Sequence, residues 1–91
     1  MAKKREKMQV IRDILLVINE KNGKIKPTHI MYKSNLSYLM MEEYLNNLIN
    51  KGFIIENKTN KTRTYSITIK GLNFLEQFKL INDFMGSFGL D

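Results

Sequence analysis

The stretch from Ile30 to Gly71 restricts the architecture of this chain more than any other. It opens with IMYKSNLS, a short apolar segment that runs into turn-forming residues. YLMMEEYLNNLINKG follows, in which Met41, Tyr44, Leu45, Leu48 and Ile49 recur at helical spacing. Ser37 sits where an N-cap hydroxyl is wanted, and Lys51-Gly52 supplies a C-terminal stop. Next, Phe53-Ile54-Ile55 and Thr64 to Ile69 are β-branched and aromatic enough to be strands. Tyr65, Ile67 and Ile69 are expected on one face of the second strand. The residues from Asn57 to Thr62 form the polar loop between them. Helix, tight turn, helix and hairpin in that order predict a winged helix-turn-helix: an α+β fold, mostly α, with a three-helix core and a two-stranded wing.

The flanking segments complete this arrangement. From Lys4 to Lys21 the pattern is helical, with Met8, Ile11, Leu15 and Ile18 in one stripe and Val10, Ile14 and Val17 in a second. Asn22-Gly23 stops that helix. Pro27 suits the first turn of the next one, which is expected to run to Lys33 and to bury Ile30 with Met31 or Tyr32. Ser34-Asn35 ends it, because Asn tolerates the left-handed conformation, and Leu36 is expected to point inward. A final helix is predicted from Thr68 or Ile69 to Met85. Within it Leu72 and Leu75 are assigned to the core. Phe74, Phe78, Ile81, Met85 and Phe88 are spaced four, three, four, three, as in a coiled-coil seam, and read as a dimer interface. The expected division is therefore a winged-helix domain over residues 1–70 and a C-terminal dimerisation helix over residues 71–91.

At 91 residues the chain is one small domain, for which burying more apolar surface in a homodimer would be useful. It has no cysteine, which excludes disulfides, thiolate zinc sites and cysteine nucleophiles. His29 has no second histidine with which to make a metal pair, and reads as a surface residue of the second helix. No glycine-rich phosphate loop, catalytic serine-histidine-acid set or metal-spaced carboxylate cluster is present. A non-enzyme without cofactor, metal or evident small-molecule effector is expected. The apolar runs are too short for a membrane span, and the basic start does not read as a signal peptide. The expected location is cytoplasmic, at the nucleoid.

A formal net charge of +6 suggests a polyanionic partner, with double-stranded DNA first. Three basic groups are available for phosphates: an arm with Lys3, Lys4, Arg5 and Lys7; Lys24, Lys26 and Lys33 around the second helix; and Lys58, Lys61 and Arg63 at the wing. Base reading falls to the outer face of the third helix, where Ser37, Tyr38, Leu39, Met40, Glu43 and Asn47 lie. Tyr38 or Met40 could touch a thymine methyl, and Asn46 or Asn47 could reach adenine. Glu42 and Glu43 repel phosphate unless paired, and are expected to face solvent or a lysine.

IMYKSNLSYLMMEEYLNNLINKGFI, together with YSITIKGLNFLEQFKLINDF after the hairpin, resembles the archaeal winged helix-turn-helix DNA-binding proteins of the ten-a chromatin type. The resemblance covers most of the chain. It includes the isoleucine-methionine-tyrosine and asparagine-leucine-serine-tyrosine stretch, and the threonine-x-x-glycine that enters the last helix. It implies a dimer joined through the final helices and bound to duplex DNA, as a transcriptional regulator or chromatin protein. Two features differ from the relatives: the last helix ends early, in MGSFGLD, and two carboxylates occupy the recognition helix. A winged-helix module that docks a basic protein partner is the alternative reading.

Overall fold

The computed structural model describes residues 6–90. Lys3, Lys4 and Arg5 lie outside the described residues. Helix α1 (Lys7–Glu20) packs on α2 (Pro27–Ser34), which leads through a tight turn into α3 (Tyr38–Asn50). Strands β1 (Ile54–Lys58) and β2 (Arg63–Ile67) form the antiparallel wing, and α4 (Ile69–Ser87) returns across α1. Among the described residues no helix is long and apolar enough to cross a membrane.

Local chemistry sets the boundaries. Gly23 takes φ +82° in the turn after α1, a conformation that glycine adopts without a Cβ penalty. Pro27 occupies the first turn of α2, and Asn35 ends that helix at φ 54°. The Ser37 hydroxyl accepts a hydrogen bond from the Met40 N–H at 3.2 Å and so starts α3. Loss of such a cap typically costs about 1 kcal/mol. The Thr68 hydroxyl serves α4 in the same way, accepting from the Gly71 N–H at 3.1 Å.

One core joins all six elements. Ile14, Leu15 and Ile18 from α1 meet Ile30 from α2, Met41 and Leu45 from α3, Ile54 from β1 and Tyr65 from β2, all essentially without solvent exposure. Each fully buried aliphatic side chain contributes about 1.5–3 kcal/mol relative to an exposed one. Met31 and Leu36 are half-buried against this core, while Tyr32 points away from it. The wing register pairs Ile54 with Ile67, Glu56 with Tyr65 and Lys58 with Arg63. Ile25 makes a single antiparallel bridge to Tyr65, tying the α1–α2 turn to the wing.

Three expectations need correction. Ile69 is not a third inward residue of β2: Thr68 caps α4, so Ile69 is already helical and exposed. The wing loop is shorter than residues 57–62, because Asn57 and Lys58 remain paired in β1. The faces of α4 are also redistributed. Phe78 is 8% exposed, stacked on Phe74 at 6.1 Å, with the Arg12 guanidinium 5.5 Å from its ring centroid. Phe74 in turn meets Phe53 edge-on at 5.9 Å.

Phe74 and Phe78 are therefore spent on this chain's own packing rather than presented to a second copy, while Leu72 is exposed. The physical reason is the close entry of α4. Gly71 lies against the Phe53 carbonyl and Ile67, which sets the Phe74–Phe78 side of the helix against Phe53 and α1. The boundary expected at residue 71 consequently falls inside a helix whose first half belongs to the core.

Candidate nucleic-acid interface

The start of α2, the start of α3 and the tip of the wing converge on one open hollow of about 470 Å³. Lys26, Pro27 and Thr28 line it together with Tyr38 and the residues from Thr59 to Arg63. Four of the expected site residues, Lys26, Tyr38, Lys61 and Arg63, are thus brought together. A smaller hollow of about 260 Å³ lies along the outer face of α3, between Lys7 at the start of α1 and Met40, Glu43, Tyr44 and Asn47. Lys58 is exposed at the end of β1, and Lys33 is exposed in the last turn of α2. Ser37 is better described as a positioning residue, since its hydroxyl is occupied by the α3 cap.

The wing tip is preorganised by Thr59. Its backbone N–H donates to the Thr62 carbonyl at 2.9 Å, and its hydroxyl oxygen accepts from the Thr62 N–H at 3.1 Å. This closed turn holds Asn60 and Lys61 at the apex, both exposed. The polar run of the tip is visible in the sequence, whereas nothing in that run marks Thr59 as the residue that closes it.

Arg63 requires a correction. Its Nη2 donates to Glu42 Oε1 at 2.8 Å, and its Nε lies 3.6 Å from Glu56 Oε2. It is therefore not a free cation at the wing, and Glu42 pairs with an arginine where a lysine or solvent was expected. The wing lies beside the third helix, so a carboxylate on α3 reaches the guanidinium at the start of β2. Complementary charges on these two elements were the available signal, at a separation too long for a local pattern. The hydrogen bond from Arg63 holds the Glu42 carboxyl below the usual glutamate range, and the same bond raises the Arg63 guanidinium further. Because Glu42 is depressed, its contribution to stability is present at neutral pH and is lost as pH falls through the lowered value. Glu43 forms no ion pair among the described residues and stays exposed on the outer face of α3.

Tyr65 closes this network from below, donating its O–H to Glu56 Oε2 at 3.2 Å. Burial pushes its phenol up to about 12. The unfolded phenol ionises near its ordinary value of about 10, so the folded state resists a deprotonation that the unfolded state accepts. Stability is accordingly intact below about pH 10 and falls from there to about pH 12, by roughly 2–3 kcal/mol from this group. Denaturant unfolding followed from pH 9 to 12 should show this decline, and Tyr65→Phe should remove that part of it.

Residues 4–86 match the winged helix-turn-helix family. The chain belongs to that family. It is 42% identical over 55 residues to MJ0287 of Methanocaldococcus jannaschii, a match that covers 60% of this chain and 55% of that one. This chain therefore aligns with only about half the length of that relative. Among solved structures it is similar to Sso10a-2, a DNA-binding protein from Sulfolobus solfataricus, with a TM-score of 0.70 and 26% identity. That similarity covers 91% of this chain and 87% of the other.

A Staphylococcus aureus MepR variant bound to an oligodeoxyribonucleotide shares the fold at a TM-score of 0.74 and 17% identity, over 86% of this chain and 59% of that one. Streptococcus pneumoniae FabT in complex with DNA does so at 0.68 and 18%, over 87% of this chain and 56% of that one. Those two likenesses concern the fold alone.

Proposed function

We propose that this winged helix is a DNA-binding regulator or chromatin protein, acting as a homodimer and laying α3 in the major groove with the wing alongside. The observation that carries this reading is the convergence of Lys26, Tyr38 and Lys61, from the starts of α2 and α3 and the wing tip, on one hollow. The similarity to the DNA-binding protein Sso10a-2 supports it. Affinity comes mainly from phosphate contacts by Lys26, Lys33, Lys58 and Lys61, joined by Lys3, Lys4 and Arg5 of the arm. Base discrimination is modest, because the exposed end of α3 offers Tyr38, Leu39 and Met40 for apolar contact, while the amides available for a paired hydrogen bond, Asn46 and Asn47, lie further along the helix.

The dimer reading rests on the second half of α4 and the Phe88 that ends it, where Leu80, Ile81, Phe84 and Phe88 are all exposed. The Phe84 and Phe88 rings meet at a tilt of 50° on that outer surface, with centroids 5.0 Å apart. Ile81 stays in the proposed interface, with the half-buried Met85 at its edge, whereas Phe84 and Leu80 replace Phe74 and Phe78.

A salt series of duplex-binding affinities tests the reading. With Lys58→Ala and Lys61→Ala together, the slope of log affinity against log salt should flatten by roughly 0.9 for each phosphate no longer neutralised, alike on every sequence. An unchanged slope removes the wing from the mechanism. Leu39, 70% exposed beside Tyr38 and Met40, is the feature that favours a protein partner instead. Under that alternative the unaltered protein shows no salt-dependent duplex binding at all.

A further inference from the structure

Beyond the wing-side hollow lies a second and larger one, of about 640 Å³, on the flank of α2. It is lined by Lys21, Lys24, Lys26 and Lys33, with Thr28, His29 and Tyr32 between them and no carboxylate on its walls. None of these lysines forms an ion pair among the described residues. Tyr32 stands 77% exposed at its edge, contributing nothing to the core. Four ammonium groups around one depression repel one another, so their grouping lowers the energy of the protein only when an anion shares the site.

The backbone that carries Lys21, Lys24 and Lys26 is fixed from beneath. Lys24 N–H donates to the Lys21 carbonyl at 2.8 Å, which closes the turn. Gly23 N–H donates to the Tyr65 carbonyl at 2.9 Å, and Ile67 N–H donates to Asn22 Oδ1 at 2.8 Å, which bind the turn to β2. The lysines are thus mounted on a turn tied to the wing, and ordering them on a ligand requires little backbone rearrangement.

We infer that this flank is a phosphate track that extends the DNA footprint along the same duplex, past the segment touched by α3 and the wing. Continuity favours one duplex: Lys26 and Thr28 line both hollows, so the basic surface passes unbroken from the wing tip over the start of α2 to the α1–α2 turn. The chemistry recognised is a run of phosphodiesters, contacted by lysine ammonium groups and by the hydroxyls of Thr28 and Tyr32. No base is read here. The inference rests on the DNA-binding reading above and adds a length dependence to it.

The test compares two random-sequence duplexes, one of about one helical turn and one of about three, each in excess over protein across a salt series. The unaltered protein should show the steeper slope on the longer duplex. Lys21→Ala with Lys24→Ala should flatten the slope there by roughly 0.9 per lysine and leave the short duplex unaffected. Equal slopes on both duplexes for the unaltered protein, or an equal loss on both for the variant, would overturn the extension. So would joining of two labelled duplexes that the double variant abolishes, since that assigns the flank to a second duplex. If the unaltered protein binds neither duplex, the DNA-binding reading itself has failed, and the inference fails with it.

Discussion

Phe78→Ala should lower folding stability by about 3–5 kcal/mol, the range for truncating a packed phenylalanine. The ring lies on the side of α4 facing α1, stacked on Phe74 with the Arg12 guanidinium over its face, so truncation removes both contacts and a nearly fully buried ring. In a domain of this size each kcal/mol moves the thermal midpoint by about 4–8 °C, so the variant should be largely unfolded at temperatures the parent tolerates. Phe84→Ala is the contrast. Phe84 is 62% exposed, and its removal should leave the protomer's unfolding within about 0.5 kcal/mol of the parent when both are monomeric. It should instead raise the concentration at which the protein dissociates. Thermal unfolding and sedimentation of both variants separate the two roles. A Phe78→Ala protein that is fully folded, with an unchanged midpoint and a halved mass, would return that residue to the interface.

The assignment of α4 shows where sequence reasoning stops. Helix boundaries were legible because each is set locally: Gly23, Pro27, Asn35, Ser37 and Thr68 each impose a backbone conformation or satisfy a terminal N–H. The core faces of α1 and α3 were legible for a similar reason, as a helix packed along its length must repeat its apolar residues at helical spacing. Met8 departs from its stripe because it lies in the first turn of α1, where it remains exposed.

On α4 two apolar faces compete, and spacing alone does not say which one the rest of the chain will cover. That choice depends on how closely the helix enters, a tertiary quantity. The ion pair between Arg63 and Glu42 was hidden for the same reason. Counting charges between Asn57 and Thr64 revealed a basic wing, but the neutralising carboxylate comes from α3, 21 residues earlier. What remained readable in the candidate site was its lysine content and the exposed Tyr38–Met40 end of α3. What remained hidden was which cations are already occupied.

Gly71→Ala is the substitution that probes this entry angle directly. A Cβ at position 71 would lie 2.5 Å from the Phe53 carbonyl oxygen and 2.6 Å from Ile67 Cγ1. The first neighbour is backbone, held by the Thr68 N–H at 3.1 Å and by the Thr68 hydroxyl at 3.0 Å, so it has little freedom to withdraw. Alanine improves the helix by about 1 kcal/mol over glycine, whereas overpacking of this kind costs typically about 1–3 kcal/mol and occasionally more. With contacts well inside van der Waals range, the clash should win and leave a net loss of about 2 kcal/mol.

α4 must then tilt away from Phe53 and β2, and the Phe53–Phe74 edge contact should loosen with it. The measurements are the thermal midpoint, expected to fall by about 8–16 °C, and the protection of the amide hydrogens of α4 against exchange. A variant as stable as the parent would show that the helix can move at no cost. Phe74 and Phe78 would then lose the geometric reason for facing their own chain. Thr68→Ala leaves position 71 open but removes the cap together with the hydroxyl's bonds to the Gly52 and Phe53 carbonyls, and should cost about 1–2 kcal/mol. A comparable or larger loss at Gly71, where every one of those bonds can still form, would identify close approach, rather than capping, as the reason for the glycine in the threonine-x-x-glycine entry to α4.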